Sequence, residues 1–161
     1  MKILIVSDTH RYTDDLVKVI KKVAPFDLLV HCGDAEVGLD TLERLAGCPV
    51  QVVKGNNDYY SDLPAEAEFM LGKYKVWLVH GHRHFVHVEK GTLRREAEQR
   101  GADIVMYGHT HRPSLEITPG LTALNPGSLS YPRQEGRRPS YIIMEIDQKG
   151  EAHYSGAYLK R

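Results

Sequence analysis

KILIVSDTH, residues 2–10, runs a short apolar strand, KILIV, straight into Ser7, Asp8 and His10. An unbroken aliphatic run of this length reads as a strand buried on both faces. The next elements decide the architecture. TDDLVKVIKKV (13–23) carries helical spacing, with Thr13 as N-cap and Pro25 as the stop. DLLVH (27–31) is a second strand, residues 38–46 a second helix, and PVQVVKG (49–55) a third strand that closes in the turn GNND. This β-α-β-α-β order predicts a parallel sheet with right-handed crossovers.

Further along, AEFMLGKYKVWLVH (67–80) reads as a hairpin turning at Gly72–Lys73, EKGTLRREAEQR (89–100) as a charged helix, and DIVMYGH (103–109) as a strand. SLEIT (114–118), LTALN (121–125), SYIIMEID (140–147) and EAHYSGAYL (151–159) read as strands joined by Pro/Gly turns, with antiparallel pairing. With 161 residues the chain is expected to form a single α/β domain, residues 1–161, containing two sheets. Lys+Arg and Asp+Glu balance at 21 each, so no global field recruits nucleic acid or an anionic membrane. No apolar run approaches a membrane span, and two cysteines make no disulfide framework, which suits a reducing cytoplasm.

Polar groups cluster where strands end. KILIVS ends in Asp8-Thr-His10, DLLVHC in Gly33-Asp34, PVQVVK in Gly55-Asn56-Asn57-Asp58, KVWLV in His80-Gly-His82, and DIVMY in Gly108-His109-Thr-His111. Each piece alone is commonplace: GNND is a good turn, since Asn and Asp tolerate left-handed backbone. Five such ends in one short chain are not, because ligands of open α/β sheets sit beyond the carboxyl ends of the strands. The donors are carboxylate, imidazole and amide without thiolate, a set that suits Mn, Fe, Zn, Ni or Co.

DTH (8–10), GD (33–34), GNND (55–58), HGH (80–82) and GHTH (108–111), in that order, resemble the calcineurin-like metallophosphoesterase superfamily, and NPGS (125–128) is similar to a motif of its small bacterial and archaeal phosphodiesterase branch. The resemblance implies a four-layer α-β-β-α sandwich of two mixed sheets with a binuclear metal centre, manganese foremost, at the strand ends. It assigns Asp8, His10 and His111 to one metal and Asn56, His80 and His109 to the other, with Asp34 bridging. It implies hydrolysis of small or nucleotide-like phosphodiesters by a hydroxide shared between the metals. The alternative within the fold is a metal-binding interaction scaffold with little or no catalysis.

Many members carry His after the Gly-Asn pair, a residue thought to protonate the leaving oxygen; this chain has Asn57. An amide donates a hydrogen bond but gives up no proton, so substrates with acidic leaving groups are expected to be favoured. His82 or His84 is the candidate replacement acid, and Asp58 either orients a ligand or caps the turn. Tyr59-Tyr60 read as rim packing, Arg11 and Arg112 as surface arginines, Cys32 as a small buried residue, and PRQEGRRPS (132–140) as a solvated basic turn. The expected partner is a small phosphoester, with no membrane and no stable nucleic-acid complex. Small enzymes of this type often form homo-oligomers, and no segment marks an interface.

Overall fold

The structure, a computed structural model, describes residues 1–160. Its first strand, β1 (Lys2–Val6), shows why layers form on both of its faces. The strand is buried almost throughout, yet its side chains alternate: Ile3 and Ile5 enter one apolar cluster, Leu4 and Val6 another. Each buried aliphatic side chain contributes about 1.5–3 kcal/mol, so a strand apolar at every position is stable only when covered on both sides.

The elements that follow are α1 (Asp14–Val23), β2 (Leu28–His31), α2 (Leu39–Ala46), β3 (Val50–Val52), β4 (Glu66–Leu71), β5 (Tyr74–Val79), a 3-10 turn (His82–His84), α3 (Gly91–Gln99), β6 (Ile104–Met106), β7 (Pro113–Thr118), β8 (Leu121–Pro126), β9 (Ser140–Ile146) and β10 (Ala152–Tyr158). One sheet has the order β10-β9-β1-β2-β3, the other β4-β5-β6-β8-β7. In the first, β1, β2 and β3 are parallel and β9 runs antiparallel to β1. In the second, β5, β6 and β8 are parallel and the outer strands antiparallel. Both sheets are therefore mixed.

Three apolar clusters separate four layers. Ile3, Ile5 and Val30 meet Val76, Leu78 and Met106 between the sheets. Leu16, Val19, Ile20 and Leu42 of α1 and α2 cover the outer face of the first sheet. Leu93 and Ala97 of α3 cover Trp77, Val105 and Tyr107 on the outer face of the second. The α-β-β-α sandwich is as expected.

Local details differ. Thr13 has helical backbone angles and its side chain caps nothing. It nevertheless stands at the expected N-cap position, where its carbonyl accepts the first helical bond, from Val17 N–H. β3 and β6 stop short of the expected 49–55 and 103–109, although Val53 and Tyr107 each still donate one N–H bond to the neighbouring strand, to His31 O and Leu124 O. The charged helix, expected over 89–100, spans Gly91–Gln99 and buries one stripe through Leu93 and Ala97, four apart.

Candidate metal centre

The parallel strands β1, β2 and β3 of one sheet and β5 and β6 of the other release their chains at one edge. Asp8, Asp34 and the Gly55-Asn56 turn come from the first sheet, His80 and His109–His111 from the second. Asp8, His10, Asp34, His109 and His111 all have positive φ, between 44° and 69°. Such backbone costs of order 1–3 kcal/mol per residue and persists where the surroundings over-determine it. Gly33, at φ +99°, has no room for a side chain, because a Cβ there would lie 2.6 Å from His80 Nδ1. Gly108 is equally constrained: its Cβ would overlap Ser7 Oγ.

Asp8 is fully buried, and its two oxygens differ. Oδ2 accepts from Ser7 Oγ–H at 2.6 Å and from His109 N–H at 3.1 Å. Oδ1 is buried without a hydrogen bond. It faces His111 Nε2 at 3.1 Å and His10 and His80 Nε2 at 3.9 Å each. Each of these imidazoles spends its other nitrogen on the protein: His80 Nδ1–H donates to Cys32 O and His111 Nδ1–H to Tyr131 O, both at 2.8 Å, while His10 Nδ1 meets Glu36 Oε1 at 2.8 Å. The Nε2 atoms thus point inward, with those of His10 and His111 3.3 Å apart. An orphaned carboxylate oxygen ringed by imidazole nitrogens that are oriented from behind is a donor set suited to divalent metal ions. Two three-residue groups of this kind form, Asp8-His10-His111 and Asp8-Asp34-His80.

Asp34 is clasped by Asn57, whose backbone N–H and side-chain amide donate to its two oxygens at 2.7 Å each. Its Oδ2 lies 3.3 Å from His80 Nε2 and 3.8 Å from His10 Nε2, between the two histidine sets. Burial works against charge on Asp34, but the bonds from His80 and Asn57 outweigh it and hold the carboxyl well below the usual range. Burial likewise opposes charge on His80; the bond to Asp34 and the charges of Asp8 and Asp34 win, lifting the ring to about 9. Its Nε2–H is shared by Asp34 and by Asn56 Oδ1 at 3.0 Å. A proton stands where a cation fits.

The expected residues do not all converge equally. Asn56 joins only through His80, and His109 stands outside both groups, its ring edge-on to His80 at 5.2 Å. Asp8 is common to both groups, a sharing the resemblance gave to Asp34 alone. His82 lies beside His80 and His109, at ring distances of 5.4 and 6.1 Å, whereas His84 is drawn away to Glu96 Oε2 at 3.1 Å. Arg11 is occupied by Glu36, at 2.7 Å. Cys32 is buried, and burial followed by the nearby Asp8 charge pushes its thiol well up, so it is no nucleophile.

Asp58 holds the turn from inside. It accepts backbone N–H bonds from Asp34 at 2.8 Å, Glu36 at 2.6 Å and Gly55 at 2.7 Å, which lock the GNND turn to the loop after β2. Asp58→Asn keeps the shape but aims an amide donor at one of these N–H groups, at a cost of about 2 kcal/mol. The thermal midpoint should fall by about 4–8 °C for a chain of this size, as a melting curve will show.

Three supports were not legible as such. Glu36 orients His10. His31 accepts from Gly33 N–H at Nδ1, so its Nε2–H donates to Thr9 Oγ1 at 3.0 Å, pinning the first two loops; burial pushes this ring down to about 4 and keeps it neutral. NPGS (125–128) braces the site from behind: Ser128 Oγ–H donates to Asp8 O at 2.8 Å and Asn125 Nδ2–H to Gly108 O at 2.9 Å.

Comparisons with known proteins give the family and the fold. A family model described as the calcineurin-like phosphoesterase superfamily domain matches residues 1–149. A probable metallophosphoesterase of Bacillus subtilis is 36% identical over 148 residues, covering 91% of this chain and 85% of that protein. A conserved Streptococcus pneumoniae protein, described as a predicted phosphoesterase, has a crystal structure that matches with a TM-score of 0.78 at 30% identity, over 98% of this chain and 97% of that one. An archaeal protein described as a phosphodiesterase has the same fold, with a TM-score of 0.76 at 23% identity over 99% and 100% of the two chains.

Proposed function

We propose that this chain, which belongs to the calcineurin-like phosphoesterase superfamily, is a phosphodiesterase that works with two divalent cations, manganese foremost, on small or nucleotide-like phosphodiesters. The observation that carries the reading is the buried, unbonded Oδ1 of Asp8 with three imidazole nitrogens aimed at it. In this reading Asp8, His10 and His111 hold one cation, Asn56, His80 and His109 the other, and Asp34 serves both. Burial, with the neighbouring His80 charge, pushes His109 down to about 4, so its ring is neutral and keeps a lone pair to give. When bound, two such cations acidify water and polarise a phosphoryl oxygen.

The chain's own residues do the positioning. Asn57 holds both oxygens of Asp34, Asp58 holds the turn that carries Asn56 and Asn57, and Glu36 fixes the ring of His10. His82, at the edge of the His80–His109 pair, is placed to donate a hydrogen bond to a phosphoryl oxygen. Two free cysteines fit a cytoplasmic setting, and no helix among the described residues is long and apolar enough to cross a membrane.

The test is removal and return of metal. Chelated protein should lose hydrolysis of bis(4-nitrophenyl) phosphate and melt earlier; added Mn²⁺ should restore both, with elemental analysis finding two ions per chain. Ligand at about a hundred times its Kd adds about 2.7 kcal/mol to stability, a readily measured shift. Two tightly held ions without hydrolysis across a broad ester panel would move the chain to the scaffold reading.

A further inference from the structure

A groove of 690 Å³ opens directly beside His10 and His111 and is walled by Arg112, Arg133 and Arg137. No Asp or Glu lines it. Among the described residues none of these three arginines forms a salt bridge, nor do Arg44, Arg83, Arg95 and Arg138, whereas Arg11, Arg94 and Arg100 are matched by carboxylates; what sets Arg112, Arg133 and Arg137 apart is that they share one groove beside two of the site histidines. The loop that carries Arg133 and Arg137, between β8 and β9, is built rather than loose, and Arg112 joins them from the segment before β7. Arg133 N–H donates to His111 O at 2.9 Å, Arg137 N–H to Gln134 O at 3.0 Å, and Gln134 Nε2–H to Arg138 O at 2.5 Å. Arg137 itself sits at φ 42°, left-handed backbone that arginine seldom adopts.

We infer that this groove is a second anion subsite, and that the preferred substrate carries a further phosphoryl group besides the one hydrolysed. The inference rests on the phosphoesterase reading of the adjoining metal site and adds the substrate class. A diester phosphate brings one negative charge, which the cations already meet. Three exposed guanidinium groups around one groove give it a local positive potential that favours an anionic ligand, most strongly at low ionic strength. Guanidinium groups bind phosphate oxygens through paired N–H bonds, so their fork geometry suits a terminal phosphate. The volume suits a small molecule. With the chain's net charge zero and several other arginines matched by carboxylates, a nucleotide-sized bisphosphate fits this groove better than a polynucleotide does.

The experiment compares thymidine 5′-(4-nitrophenyl phosphate) with the same ester carrying a 3′-phosphate, using the Mn²⁺-loaded protein. The second phosphate should raise kcat/KM by about 10- to 100-fold, the range of charge-assisted bonds to an anion. In the Arg133→Gln/Arg137→Gln variant the ratio should fall toward one, while Arg44→Gln, an exposed residue of α2 that does not line the groove, should keep it. Calorimetric binding of thymidine 3′,5′-bisphosphate against thymidine 5′-monophosphate should show the same preference and the same loss. Cleavage of both esters at equal kcat/KM, or a preference that survives the double variant, would overturn the subsite and leave the phosphodiesterase reading standing. A binding preference without cleavage of either ester would support the subsite and remove the phosphodiesterase. Tighter binding of a short oligothymidylate than of the bisphosphate would overturn the subsite in favour of a polynucleotide track.

Discussion

Asp34→Asn should lower kcat/KM for a nitrophenyl phosphodiester by about three orders of magnitude or more, since metal-assisted hydrolysis draws several kcal/mol from its cations and each 1.36 kcal/mol is tenfold. The substitution is nearly isosteric. It keeps an oxygen for Asn57 N–H but loses the charge that lies between His10 and His80. Elemental analysis should find fewer than two ions per chain. A second readout separates lost charge from lost shape. In the metal-free protein His80 holds its proton up to about 9, against 6.5 for an ordinary histidine. A raised pKa contributes stability that is fully present below 6.5 and is lost as pH climbs through about 9. His31 and His109, both pushed down to about 4, act in the opposite sense, but only below 6.5. The metal-free wild type should therefore melt progressively earlier between pH 6.5 and 9, and Asp34→Asn should flatten that slope, because the hydrogen bond to Asp34 leads the groups that raise His80. Unchanged turnover in Asp34→Asn, with two ions still bound, would sink the shared-ligand role given to Asp34.

The other large effect concerns the leaving group. Across a series from nitrophenyl to alkyl phosphodiesters, kcat/KM should fall steeply with leaving-group basicity, the alkyl esters lacking the factor of about 10²–10⁴ that a general acid supplies. The structure sharpens the reason. Asn57 does not titrate, and its amide is committed to Asp34 Oδ2 at 2.7 Å. His84, one of the two candidate replacements, is turned away to Glu96. Asn57→His keeps the backbone bond to Asp34 and should recover up to about a hundredfold on alkyl esters, with little change on nitrophenyl esters. His82→Gln provides the counter-test. If it slows alkyl and nitrophenyl esters alike, His82 acts by hydrogen bonding; if it slows alkyl esters selectively, His82 is the acid and the expectation for Asn57 is wrong.

Several parts of this molecule were readable residue by residue. The alternation of apolar runs and amphipathic stretches up to residue 55 announces a parallel β-α-β-α-β unit, because strand and helix each need a periodic apolar face and the period is local information. The strand ends were readable for the same reason: where an apolar run stops at Asp, Asn or His, that residue lies at the sheet's edge. Thr13 shows the limit of local reading, since it takes the expected N-cap position but with helical backbone angles and no capping bond from its side chain.

The site's second layer was not readable. Glu36 lies two residues beyond Asp34, and its bond to His10 spans 26 positions. Ser128 reaches Asp8 across 120 positions and Ser130 reaches Thr9 across 121. These contacts exist because β9 pairs antiparallel with β1, returning the end of the chain to the first sheet after β4 to β8 have built the second. The same return lays the arginine loop beside His10, so a turn that reads as solvated becomes the wall of a groove. The sequence by itself determined the elements, the donor chemistry and the strand ends that carry it, since each is written in the spacing of neighbouring residues. Only the tertiary structure decided which atoms converge, which oxygen of Asp8 stays unbonded and which arginines stand unmatched, because those depend on the pairing of strands more than a hundred residues apart.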